Sequence, residues 1–131
     1  MKPFMPIEIS TPAHIALPPQ YAFGLADTGA AVCSIPAEFA PLLNHNLRRV
    51  KAASIQGAGS IVQGFPHTVR LRALAMGLNG KVNYAATVFD TSAIPVHFVP
   101  GLPCVLIGVK DFLEYFVLTV DYPRQTFSLT R

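Results

Sequence analysis

The chain has 131 residues, of which 51% are hydrophobic and only 13% charged, and a formal net charge of +3. That length suits one domain over residues 1–131, large enough to bury a core without staples, and the mild, scattered positive charge argues against a nucleic-acid partner. No apolar run reaches the roughly 18 residues of a membrane span, and no apolar leader is visible near Met1, so a cytoplasmic protein without a membrane partner is expected.

Twelve prolines and nine glycines punctuate short runs rich in Val, Ile, Leu, Phe and Thr, which is an all-β pattern. In chain order, residues 14–17 read as an early strand, and Pro18-Pro19 separates it from a strand that runs into Asp27. Residues 36–43 read as a short helix opened by Pro36 and limited by Pro41. Residues 68–76 and 81–89 read as long strands joined at Asn79-Gly80, a two-residue type I′ hairpin signal. Residues 110–116 read as a second short helix, with Phe112, Leu113 and Phe116 on one side. A turn at 121–125 joins closing strands at 116–120 and 126–129.

Within this pattern Asp27 stands out. It is a single carboxylate between two apolar, strand-like runs, in Leu25-Ala26-Asp27-Thr28-Gly29-Ala30-Ala31-Val32. Such a charge is costly unless it is paired, hydrogen-bonded or used. Gly29 would supply a permissive backbone for a sharp turn, Thr28 a hydroxyl to tie the loop, and Ala30 room for close approach. One carboxylate is an incomplete catalyst. Two that share a proton could activate a water and polarise a carbonyl.

The segment from Leu25 to Ala30 resembles the active-site loop of retropepsin-like aspartic proteases. Two further stretches resemble that family in the right order. Ser54-Ile55-Gln56-Gly57-Ala58-Gly59-Ser60-Ile61-Val62-Gln63-Gly64 is similar to the flap, with Gly57, Ala58, Gly59 and Ser60 at its tip. Val105-Leu106-Ile107-Gly108, followed by Asp111-Phe112-Leu113, is similar to the structural glycine motif and its helix. The resemblance covers nearly the whole chain. It implies a closed β-barrel or sandwich of one lobe, with a flap hairpin and one or two short helices. It also implies a homodimer in which two copies of Asp27 form the dyad, a peptide or protein substrate, and no cofactor or metal. The loop holding His97, Phe98 and Val99 resembles the wall of the substrate groove, and with Ile61 and Val62 it suggests apolar side chains flanking the scissile bond.

The chain departs from many viral members at Ala31 and Val109. An acidic residue and an arginine stand at these positions there and form an ion pair. Lys110 is an added residue before Asp111. These departures keep a second reading open: a catalytically inactive dimerisation or peptide-binding module on the same fold. The four histidines are too widely spaced for a helical metal pair. Cys33 and Cys104 lack metal-site spacing and are too few for a disulfide framework. They fall on strands that neighbour each other in the family.

Overall fold

The computed structural model describes residues 3–14, 16–57 and 60–131. Nine strands carry the described chain: β1 (Phe4–Ser10), β2 (Gln20–Ala26), β3 (Ser34–Pro36), β4 (Ala53–Gly57), β5 (Ser60–Met76), β6 (Val82–Val99), β7 (Val105–Ile107), β8 (Val117–Asp121) and β9 (Thr126–Thr130). The first seven hydrogen-bond in the order β1-β2-β7-β3-β6-β5-β4, and β1 also pairs with β5. That last pairing closes six strands into a barrel and leaves β4 as an arm on β5, which removes most exposed edges. The β8–β9 hairpin is a separate two-stranded sheet. This is the expected all-β, retropepsin-like architecture.

Alternation decides what fills the barrel. Met5, Ile7 and Ile9 of β1 face Val69 and Leu71 of β5, Val96 and Phe98 of β6, and Val105 and Ile107 of β7 in one buried cluster. Phe112 is fully buried at its edge, with Phe89 and Phe116 packed around it edge-on or tilted. Glu8 points the other way, to the barrel's outside. It lies opposite Tyr21 on β2 and Arg72 on β5, and the Arg72 guanidinium sits 3.3 Å from its carboxylate across the closing seam.

Several local expectations need correction. The described residues of the 14–17 run form no strand: the Leu17 N–H donates to His14 O at 3.0 Å in a turn. The first strand lies earlier, at Phe4–Ser10, where Pro6 masks the signal because proline weakens any strand reading. The hairpin at Asn79-Gly80 exists, but it is not a two-residue type I′ turn. Gly80 has a positive φ of 77° and Asn79 does not. The loop spans five residues between Met76 and Val82, and Asn79 Oδ1 accepts the Lys81 N–H at 3.0 Å. The two expected helices are only 3-10 turns. Residues 36–43 become Ala37–Phe39 and Pro41–Leu43, because Pro41 lacks a donor and Asn44 adopts a left-handed φ of 60° that ends the run. Residues 110–116 yield only Leu113–Tyr115, since Asp111 sits at φ 66°. A further turn at Leu47–Arg49, capped by Asn46 Oδ1, has no counterpart in the sequence reading. Cys33 and Cys104 are both free.

Candidate active site

The Asp27 loop is held from below by the sequence's glycine motif. β2 and β7 run parallel, with Leu25 beside Leu106 and Ala26 beside Ile107. The pairing continues one step further: the Asp27 N–H donates to Ile107 O at 2.9 Å. Beyond the loop, the Val109 and Lys110 N–H groups donate to Ala30 O and Ala31 O, each at 2.9 Å. The chain therefore grips both ends of the loop through the backbone. Gly108 fits beneath it because it has no side chain. A Cβ there would lie 2.5 Å from the Val32 carbonyl carbon and 2.9 Å from Ala30 O. Its N–H meets Cys33 Sγ at 3.3 Å, and burial pushes the Cys33 thiol up to about 11, so Cys33 stays a neutral packing thiol.

Within the loop, the Gly29 N–H donates to Asp27 Oδ1 at 2.9 Å, and the Ala30 N–H donates to Asp27 O at 3.1 Å. The role expected for Gly29 changes. It does not occupy the left-handed region, which among the described glycines belongs to Gly80 and Gly101. It orients the carboxylate with its N–H, and a Cβ on it would meet Asp27 Oδ1 at 3.2 Å. Asp27 is half-buried, while Thr28 and Gly29 are exposed. The carboxylate thus stands near the surface of the chain with one oxygen fixed by the Gly29 N–H.

The flap-like stretch is a hairpin of β4 and β5, with Gln56 paired to Ile61 and Gly57 to Ser60. Ala58 and Gly59, expected at its tip, lie outside the described residues. Ile61 is 73% exposed and Val62 37%, so apolar side chains ride on the arm. The expected groove wall divides. Phe98 and Val99 are buried, Phe98 within the core cluster, so neither forms an open wall. His97 lies on the face opposite Phe98 and is half-buried. Its N–H donates to Cys33 O at 3.1 Å, which pins β6 to β3.

Sequence reading missed a histidine cluster packed on Phe98. His45 stacks on His67 with ring centroids 4.5 Å apart, and both lie edge-on to Phe98. The His45 Nε2–H donates to Thr68 O at 3.0 Å. Their spacing in the chain, 22 residues apart, gave no signal. Burial lowers His45, His67 and His97 below the usual 6.5. Stability is therefore complete above about pH 6.5, where unfolded and folded chains are both neutral at these rings. It falls as pH drops from there toward the folded values, because only the unfolded chain takes up the protons. Arg70 holds Asp90 at about 2 against a usual 3.8, through a hydrogen bond from Nε to Oδ1 of 2.9 Å and a second to Oδ2. That contribution is lost only as pH falls through the 3.8-to-2 window. Thermal scans are expected to show a flat Tm at pH 7 to 8 and a decline below pH 6.5 that His67→Phe reduces, since the ring stack survives without a protonatable nitrogen. An unchanged pH profile in His67→Phe would refute this assignment.

No protein-family model matches the chain, and no curated protein matches it in sequence. Among solved structures, it is similar to the crystal structure of a retropepsin-like aspartic protease from Rickettsia conorii. The TM-score is 0.60 and the identity 19%, and the match covers 96% of this chain and 81% of that one.

Proposed function

We propose that this chain is an aspartic endopeptidase that acts as a homodimer, with Asp27 of two protomers forming the catalytic dyad. The observation that carries this reading is the loop itself. One carboxylate is hung at the protomer surface, fixed by the Gly29 N–H and gripped at both ends by the Ile107–Lys110 backbone, on a retropepsin-like barrel. A lone surface Asp does not need that support for stability.

The chemistry follows from two carboxyl groups that share one proton. The ionised Asp27 takes a proton from a bound water, whose oxygen attacks the peptide carbonyl carbon. The protonated partner carboxyl donates to the carbonyl oxygen. The resulting gem-diol collapses as Asp27 passes the water's proton to the amide nitrogen, the C–N bond breaks to release the amine, and a gem-diol hydroxyl returns a proton to the partner carboxylate as the acid forms. No covalent acyl-enzyme forms. The β4–β5 arm covers an extended peptide and pairs with it strand-fashion. Activity belongs on the acidic side of neutrality, where the pair holds one proton.

Incubation with an unbiased peptide library from pH 4 to 7 tests this. Cleavage is expected, and its rate per chain should rise with chain concentration until the dimer saturates. Peptide binding without cleavage at any concentration would favour the inactive module that Ala31 and Val109 motivate.

A further inference from the structure

The face of the sheet that bears Asp27 also bears a polar pair outside the loop. Leu25, Leu106, Ser34, His97 and Pro66 form one row across β2, β7, β3, β6 and β5 by register. Their chain neighbours Ala26, Ile107, Ile35 and Phe98 are buried in the core, so the row faces the other way. Asp27 follows Leu25 by two residues with the strand pairing continued, which puts it on the row's face. The β4–β5 arm borders the far end of the row: a Cβ on Gly64 would meet His97 Cβ at 3.1 Å and also touch Ile55.

Ser34 and His97 are cross-strand partners, and they are the row's hydrogen-bonding side chains among apolar ones. Ser34 is 8% exposed. His97 Nδ1 is buried and finds no partner among the described residues. An orphaned buried N–H is rarer than an orphaned acceptor, so the ring proton sits on Nε2. The pair thus offers an imidazole N–H donor and a hydroxyl that can accept, with no formal charge in the row.

We propose that Ser34 and His97 select a substrate side-chain amide, Asn or Gln, beside the scissile bond; the claim rests on the protease reading of Asp27. The amide carbonyl accepts from His97 Nε2–H, and the amide NH2 donates to Ser34 Oγ. A substrate carboxylate finds no cation in the row and faces the charge of the dyad. An aliphatic side chain leaves both groups unpaired, the mismatch that polar sites discriminate against most strongly.

Two randomised peptide libraries test this independently of catalysis. One is cleaved by wild-type, Ser34→Ala, His97→Leu and His97→Gln protein. The other is displayed on phage and selected on Asp27→Asn protein with and without Ser34→Ala. Asn or Gln is expected at one position at least tenfold over Leu, a preference retained in His97→Gln and lost in His97→Leu and Ser34→Ala. Ser34→Ala removes a single oxygen and keeps the test open if His97→Leu does not fold. Amide selection on phage without cleavage would sink the protease reading and leave this pairing standing. Cleavage or selection without an amide preference that depends on Ser34 would overturn the pairing alone, and a selection that recovers no peptide would overturn it as well.

Discussion

Asp27→Asn is expected to lower peptide cleavage by about 10^4-fold, the upper range for losing a positioned acid–base group, while the fold stays intact. The two effects separate because Asp27 serves the fold through its backbone. Its N–H to Ile107 O and its O to the Ala30 N–H are both untouched by the change, and an Asn Oδ1 can still accept the Gly29 N–H. Asp27 is only half-buried, so stability should move by no more than about 0.5 kcal/mol. What Asn removes is the ionisable oxygen that accepts the water's proton. Mixing sharpens the result. With a tenfold excess of Asp27→Asn chains, wild-type activity should drop by roughly 90%, since random pairing in a closed dimer leaves most wild-type chains facing an Asn. Undiminished cleavage by Asp27→Asn protein, or additive activity on mixing, would sink the shared dyad.

How much of this was legible in the chain depended on the range of the interaction. The Asp27 loop, the Gly108 motif and the terminal hairpin announce themselves locally, through residue types that a turn or a close approach demands. The barrel closure does not. It depends on β1 pairing with β5 some 60 residues away, through a strand whose Pro6 and Glu8 disguise it and whose Glu8 meets its counter-charge, Arg72, across that seam. The groove assignment took residues 97–99 as one wall, and burial removes Phe98 and Val99 from it. Residues 97–99 carry a residue of each face, and only register against Ser34 and Pro66 shows that His97 looks outward while Phe98 fills the core. The role of Gly29 was misread for a similar reason: glycine signals freedom of backbone, but here its N–H and its lack of bulk beside Oδ1 matter. The 3-10 turns at Ala37–Phe39 and Pro41–Leu43 fall short of a helix because a single proline and a left-handed Asn44 outweigh the propensity of the intervening Ala and Leu.

Gly108→Ala is expected to be the most damaging glycine-to-alanine change among the described residues. Three features make it so. The atoms that a Cβ would strike, the Val32 carbonyl and Ala30 O, are backbone and cannot rotate away. Both belong to the loop that Val109 and Lys110 hold by hydrogen bonds, so retreat of the loop breaks those bonds. The site is fully enclosed, with Cys33 at 0% exposure against it. Overpacking of this kind costs about 3 kcal/mol, or roughly a 10 °C fall in Tm for a chain of this size. Cleavage should fall with it even in the surviving folded fraction, because the displaced loop carries Asp27 away from its partner, and reaction geometry tolerates little displacement. Gly29→Ala supplies the contrast. Its added methyl meets only the Asp27 carboxylate oxygen, at 3.2 Å, so Tm should shift by less than a quarter as much while cleavage is lost through the turned carboxylate. Equal Tm losses in the two variants would show that the loop is not gripped through Gly108, and that Asp27 owes its position to something other than the backbone beneath it.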